Sequence, residues 1–152
     1  MITDIENKFM KLAIEQANIA ILADEVPVGC VIGIGDEIIS TAYNLTLTNS
    51  DPTAHAEINA IRLAGKKIKN YRLPGAVIYT TLEPCAMCYG AIVHARIARL
   101  VFGAYDTKTG VCGSSIKLHE QKCFNHVPEI KGGVLEDECS LILKNFFKER
   151  RN

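Results

Sequence analysis

Two cysteines follow a proline in Pro84-Cys85-Ala86-Met87-Cys88, a spacing that suits metal binding. If a helix begins here, positions i and i+3 share a face, so both sulfurs can reach one point. The N-terminus of a helix carries partial positive charge, which favours the thiolate that binds metals. With 5 Pro and 6 Cys in 152 residues, Pro-Cys-x-x-Cys is expected by chance roughly 0.008 times.

Further ligands are offered by the segment Thr53-Ala-His-Ala-Glu57, which contains His55 and Glu57. Zinc takes four ligands, and a set of one histidine and two cysteines leaves the fourth position open to water, as in catalytic sites. Glu57 lies two positions beyond His55, so we expect it beside that water as an acid/base group. The residues indicate one zinc ion at His55, Cys85 and Cys88.

Other uses of the cysteine pair stay open at this point. A redox pair of the thioredoxin type also follows a strand and opens a helix, but it would leave His55 and Glu57 without a role. A structural zinc site normally has a second Cys-x-x-Cys, which the sequence lacks. A zinc-stabilised interaction domain is the interpretation in which the protein is not an enzyme.

The elements that must position these residues form an alternating α/β pattern. Helices are predicted at 3–23, 55–68, 85–96 and 136–150, and strands at 26–34, 37–43, 76–81, 98–103 and 127–131. After an opening hairpin, strands alternate with helices, which predicts a mixed sheet with helices on both faces. Thr3 and Glu6 have capping-box spacing, and Ile58, Ile61 and Leu63 are the predicted core contacts of the second helix.

Composition predicts a single domain over residues 1–152 in the cytoplasm. A length of 152 residues is typical of a single domain. No apolar run approaches the roughly 20 residues of a membrane span. Charged residues near the N-terminus interrupt any signal-peptide core. In a cytosolic chain, six cysteines favour metal binding or catalysis over disulfides. A net charge of zero argues against a general polyanion binder, though not against a local basic patch.

The order His55-Ala-Glu57 and then Pro84-Cys-Ala-Met-Cys88 resembles the signature of the zinc nucleobase deaminases. Within them the chain resembles the bacterial tRNA-specific adenosine deaminases, over segments that span nearly its whole length. These segments are 25–29, 51–57, 70–73, 81–88, 102–104, 106–110, and 146–147 with the trailing pair 150–151.

The resemblance implies a cytidine-deaminase-like fold, a three-layer α/β/α sandwich with a five-stranded mixed sheet, in a homodimer. It implies hydrolysis of adenosine to inosine at the wobble position of a tRNA anticodon, with release of ammonia. One Zn²⁺ per chain would be held by His55, Cys85 and Cys88, and Glu57 would carry the protons. A guanine deaminase, which acts on a free nucleobase, is the alternative, because that family shares the metal signature.

Substrate contacts are expected at two groups of residues. By resemblance, Asn44 hydrogen-bonds the base, Val28 lines its pocket, and Asp106 and Lys108 touch the anticodon stem-loop backbone. Independently, Lys144, Lys148 and Arg151 lie at i, i+4 and i+7 of the last predicted helix, on one face. We therefore expect Lys148 and Arg151 to contact phosphates, although a solvated helix end with cations near its C-terminus has the same pattern.

Overall fold

Residues 1–150, which are the residues that this computed structural model describes, contain four α-helices, one short 3-10 helix (Leu118–Glu120) and five strands. The helices are α1 (Asp4–Leu22), α2 (Ala56–Ile68), α3 (Ala86–His94) and α4 (Glu136–Arg150). The strands are β1 (Gly29–Ile34), β2 (Glu37–Tyr43), β3 (Val77–Leu82), β4 (Arg99–Ala104) and β5 (Glu129–Lys131). The predicted α/β architecture is confirmed.

The strands form one mixed sheet in the order β2-β1-β3-β4-β5. Strand β1 is antiparallel to both β2 and β3, so β2 and β3 run in the same direction. Strand β4 is parallel to β3, and β5 is parallel to β4. Strands β2, β3 and β4 therefore end at the same edge of the sheet. Helices α2 and α3 follow β2 and β3, which brings both of their N-termini to this edge.

Side-chain alternation along the strands divides the core between the two faces of the sheet. In β1, Cys30 and Ile32 pack in the layer of α2 and α3, whereas Val31 faces the layer of α1 and α4. Gly29 is required where α1 crosses the sheet, because a Cβ there would overlap the carbonyl oxygen of Ala13. Helices thus cover both faces, as predicted.

Helix α1 begins with the predicted capping box. Thr3 Oγ1 accepts a hydrogen bond from the backbone N–H of Glu6 at 3.1 Å, and Thr3 N–H donates to Glu6 Oε1 at 2.9 Å. The pattern could be predicted from sequence because both partners lie within one helical turn.

The predicted core face of α2 is wrong at Leu63, whose side chain is 49% exposed. The buried residues of this helix are small apart from one glutamate: Ala56, Glu57, Ala60 and Ala64. Alanines allow the helix to lie close against the sheet, with Ile61 packed at the edge of the core. The larger apolar residues, on which the sequence prediction relied, are partly or largely excluded from that contact.

The first predicted strand begins three residues later than expected, at Gly29. Pro27 has no N–H to give to a ladder, so the segment before Gly29 does not pair as a strand. The segment before Gly29 instead forms part of the wall of a pocket. Among the helices in residues 1–150, each is too short or too polar to cross a lipid bilayer.

Candidate active site

His55 and Cys85 occupy equivalent positions, each as the N-cap residue of a helix. Both have extended backbone conformations, and neither side chain caps its own helix, so both point elsewhere. Cys88 is the third residue of α3. The sequence predicted both cysteines in the first helical turn; the structure confirms this for Cys88 and places Cys85 immediately before it.

These three side chains converge on one point. The Nδ1 atom of His55 lies 3.6 Å from Cys85 Sγ and 3.5 Å from Cys88 Sγ. All three ligand atoms lie within 4.8 Å of one another. Zn–S bonds of about 2.3 Å and Zn–N bonds of about 2.0–2.1 Å at tetrahedral angles place nitrogen and sulfur about 3.6 Å apart. The spacing in the structure therefore fits a single tetrahedral zinc ion, one per chain.

The chemistry of the donors fits the same ion. A hydrogen bond from the Cys88 thiol lowers the pKa of Cys85 to about 4, with a further contribution from His55. A thiol that ionises this readily is present as thiolate, the form that coordinates zinc.

The loop before α2 holds His55 in place. The Asp51 carboxylate accepts hydrogen bonds from Thr53 N–H at 2.8 Å and from Thr53 Oγ1 at 2.7 Å. Asn59 donates to the carbonyl oxygens of Tyr43 and Ala54, at 2.9 and 3.1 Å. These bonds tie the start of α2 to the end of β2, so the histidine has a fixed position relative to the sheet.

Glu57 is buried beside the cluster and points into the same pocket, with 4% of its surface exposed. Within residues 1–150, the group of converging ligands comprises His55, Cys85 and Cys88 without Glu57. Burial raises the pKa of Glu57 to about 7, with a contribution from the charge of Cys85. A carboxyl group poised near neutrality can both accept and donate a proton, as a general acid–base requires.

The pocket that opens onto this cluster has a volume of about 260 Å³. Its walls combine the segment before β1, the loop after β2, and the loop after β4. The lining residues are Val26, Val28, Asn44, Thr46, His55, Ala56, Glu57, Leu82, Glu83, Cys85, Asp106 and Thr109.

The expected substrate residues divide between the pocket and the surface. Val28 and Asn44 line the pocket and are 9% and 7% exposed. Asp106 also lines it, while Lys108 is exposed on the same loop. Lys148 is exposed on α4 and does not line the pocket, and Arg151 lies outside the described residues.

A buried glutamate, Glu25, holds one wall of the pocket and was not predicted. Its carboxylate accepts hydrogen bonds from Leu47 N–H at 3.1 Å and Thr48 N–H at 2.7 Å. Burial raises the pKa of Glu25, but hydrogen bonds from Thr48, Leu47 and Thr46 outweigh burial and keep it below its ordinary value of 4.5. Glu25 thereby fixes the loop that carries Asn44 and Thr46 against the segment that carries Val26 and Val28.

A second buried glutamate, Glu83, holds the opposite wall. Its carboxylate accepts from the backbone N–H groups of Asp106 at 3.1 Å, Cys112 at 2.9 Å and Ser114 at 3.2 Å, and from the Ser114 hydroxyl. Gly110 lies so close to this carboxyl that a Cβ would overlap it. The sequence signal for this role of Glu83 was a charged residue directly after an apolar strand. The groups that bind its carboxylate lie 23–31 residues further along the chain, so they could not be predicted.

Comparison with known proteins agrees with this geometry. Residues 3–104 match the family model described as the cytidine and deoxycytidylate deaminase zinc-binding region. The tRNA-specific adenosine deaminase of Haemophilus influenzae is 48% identical over 151 residues, which cover 98% of this chain and 87% of that protein.

Solved structures give the same grouping. A chain from studies of A-to-I editing by tRNA:A34 deaminases at the wobble position of transfer RNA superposes with a TM-score of 0.87 at 43% identity, covering 90% of this chain and 99% of that one. The guanine deaminase of Nitrosomonas europaea reaches a TM-score of 0.75 at 21% identity, over 92% of this chain and 83% of that one, a likeness of fold. With the match extending over two thirds of its length and a site that fits zinc, the chain belongs to the cytidine and deoxycytidylate deaminase family of zinc-binding proteins.

Proposed function

We propose that this chain is a zinc-dependent hydrolase that converts adenosine to inosine at the wobble position of a tRNA anticodon and releases ammonia. The observation that carries the proposal is the convergence of His55, Cys85 and Cys88 beside a buried carboxyl, Glu57, in a single pocket. The choice of tRNA is supported by the 48% identity to a tRNA-specific adenosine deaminase over nearly the whole chain.

The reaction needs a group that carries protons, and we assign this role to Glu57. His55, Cys85 and Cys88 would hold the zinc ion, which when bound would supply Lewis-acid activation of a water and lower its pKa toward about 7. Glu57 takes a proton from the attacking water and delivers it to N1 of adenine. Once the water oxygen has bonded to C6, Glu57 takes the second proton from that oxygen and gives it to the departing nitrogen as the C6–N6 bond breaks, which leaves a carbonyl at C6. One water is consumed, and inosine and ammonia are formed.

Pocket residues would hold the base once it has left the RNA stack. The amide of Asn44 is almost fully buried at the pocket wall and is positioned to hydrogen-bond a base edge, beside the apolar contact of Val28. The Asp106 carboxylate accepts hydrogen bonds from the N–H groups of Lys108 and Thr109, both at 3.1 Å. This tight turn leaves the Lys108 side chain exposed to meet the RNA backbone.

One assay tests the proposed function. Purified protein is incubated with an anticodon stem-loop that has adenosine at the wobble position and, separately, with free guanine, cytidine and adenosine. We expect inosine and ammonia from the stem-loop alone. Ammonia from free guanine without reaction of the stem-loop would support the guanine deaminase alternative. Zinc retention without ammonia from any substrate would indicate an interaction domain.

We also propose a single deaminase domain over residues 1–152 that works as a cytoplasmic homodimer. One sheet takes strands from both halves of the chain, which supports a single domain. The outer face of α3 carries the exposed Ala86, Met87 and His94, and Gly90 leaves open space beside its backbone. Helix α3 carries no Asp, Glu, Lys or Arg, and the open space at Gly90 suits close packing against a second copy.

Light scattering after size exclusion tests the assembly. The chain has a mass of 16.7 kDa, and we expect twice that mass for the wild type. Gly90→Arg should produce the monomer, whereas Leu141→Arg, at an exposed position on α4, should not. A wild-type protein of single-chain mass at micromolar concentration would exclude the homodimer.

A further inference from the structure

A basic groove follows the C-terminal half of α2, outside the pocket described above. We call it the α2 groove; it is about 420 Å³ in volume and is lined by Arg62, Lys66 and Lys69 together with Asn70 and Tyr71. The three cations lie at i, i+4 and i+7, so they share one face of the helix or its immediate continuation.

The positive charge of the α2 groove is largely uncompensated. Asp51 lies 3.8 Å from Arg62, whose side chain is 59% exposed. Within residues 1–150, Lys66 and Lys69 take part in no ion pair. Cations near a helix C-terminus are favoured by the helix dipole, which by itself explains a solvated helix end. The groove therefore needs a second feature to identify a ligand.

Tyr71 provides that feature. It is 75% exposed, and the Arg72 guanidinium lies 5.4 Å from the centroid of its ring. An aromatic ring held at the surface beside several cations is the arrangement that binds flexible nucleic acid strands. In such sites, cations meet the phosphates and the ring stacks on a base.

One end of the α2 groove lies beside the loop that precedes His55. Arg62 meets Asp51, whose carboxylate shapes the loop that leads to His55. Arg62 and Lys69 lie seven and fourteen residues beyond His55, which corresponds to about 10 and 21 Å along a helix axis. A strand that leaves the pocket along this helix would present several phosphates over that distance.

We infer that the α2 groove binds the backbone of the substrate RNA flanking the target nucleotide, with Arg62, Lys66 and Lys69 on phosphates and Tyr71 stacked on a base. This inference rests on the proposed function, because it assigns the groove to that same RNA. It adds a contact surface on the opposite side of the sheet from α1 and α4.

The salt dependence of binding tests the charge contacts. Removal of one cation that binds a phosphate lowers the slope of log K against log salt by about 0.7 for single strands. Lys66→Ala with Lys69→Ala should therefore flatten the slope for the anticodon stem-loop by about 1.4. Zinc content should remain unchanged. Lys8→Ala with Lys11→Ala removes the same charge from α1, across the sheet, and should leave the slope unchanged.

Tyr71 is tested separately, since stacking carries no charge. Tyr71→Leu should raise the Kd for the stem-loop about fivefold or more and leave the salt slope as it was, because stacking contributes about 1–3 kcal/mol per base. Tyr71→Phe should restore the wild-type Kd.

These experiments separate the groove from the proposed function. If the wild type deaminates the stem-loop while the lysine double variant keeps the wild-type slope and Kd, the groove does not bind RNA and the inference is overturned. If the lysine double variant shows the predicted flatter slope for the stem-loop but the wild type releases no ammonia, the inference about the groove is supported and the proposed function fails.

Discussion

Glu57 differs from its neighbours in that it lies beside the metal cluster and does not belong to it. Glu57→Gln should therefore keep zinc but lose kcat toward the upper end of the about 10²–10⁴-fold range for general acid–base groups, because the proposed mechanism gives Glu57 more than one proton transfer. Elemental analysis and the stem-loop assay measure the two quantities. A variant with full zinc and more than about a tenth of the wild-type kcat would contradict the role.

Cys88→Ala tests the assignment of the zinc ligands and complements the Glu57 variant. It removes one of three ligands, so we expect zinc and activity to be lost together. Cys123→Ala, an exposed cysteine, should change neither. Full zinc retention in Cys88→Ala would contradict the assignment of the ligand.

At the scale of elements, Glu6 ties helix α1 to strands β4 and β5. Its carboxylate lies 2.6 Å from the Arg99 guanidinium and 2.8 Å from Lys131 Nζ, and it is 1% exposed. Burial raises the pKa of Glu6, but the bonds from Lys131, Thr3 and Arg99 outweigh burial and lower it to about 2 from the ordinary 4.5. The stabilisation is therefore complete above pH 4.5 and is lost as the pH falls toward 2.

Glu6→Gln should consequently be about 3 kcal/mol less stable than the wild type at pH 7, with the gap closing as the pH falls from 4.5 to 2. Denaturant unfolding at several pH values measures this difference. Glu129→Gln, at the 74%-exposed partner that lies 3.6 Å from Arg99, should change stability little. An equal gap at pH 7 and pH 2.5 would contradict the linkage to Glu6.

At the scale of the whole molecule, a chain with zero net charge would have to bind the proposed RNA substrate through local charge. Helix α4 offers one such surface. Arg150 pairs with Asp24 at 2.8 Å, which places the end of this helix beside the segment leading to Glu25 and Val26 at the pocket wall. Lys148 is exposed nearby on the same helix.

Lys148→Ala with Arg151→Ala should weaken stem-loop binding and flatten log K against log salt by about one unit or more, without changing zinc content. The Kd for the stem-loop, measured at several salt concentrations, tests this prediction. A folded double variant with the wild-type slope would assign these cations to solvent. When these substitutions are combined with Lys66→Ala and Lys69→Ala, the losses of binding free energy should add, because the two surfaces lie in different layers of the fold.

Sequence alone determined the features that depend on nearby residues. The two cysteines at i and i+3, the capping box of Thr3 and Glu6, and the alternation of strands and helices are each set within a few turns of chain. Those patterns predicted the mixed sheet and a His-Cys-Cys cluster that the structure brings together. Zinc chemistry limits the useful ligand sets so strongly that three residues were enough to suggest the metal.

Tertiary structure alone decided the features that depend on contacts between distant segments. Glu25 and Glu83 become supports of the pocket only when their loops fold back onto them, across 21–31 residues. Leu63 was placed in the core by its hydrophobicity, yet the close approach of α2 to the sheet admits alanines there instead. In the sequence, Lys66 and Lys69 have the pattern of an ordinary solvated helix end. The structure places the exposed Tyr71 beside them in one groove. Local sequence cannot encode these outcomes, because each depends on which surfaces meet once the sheet has formed.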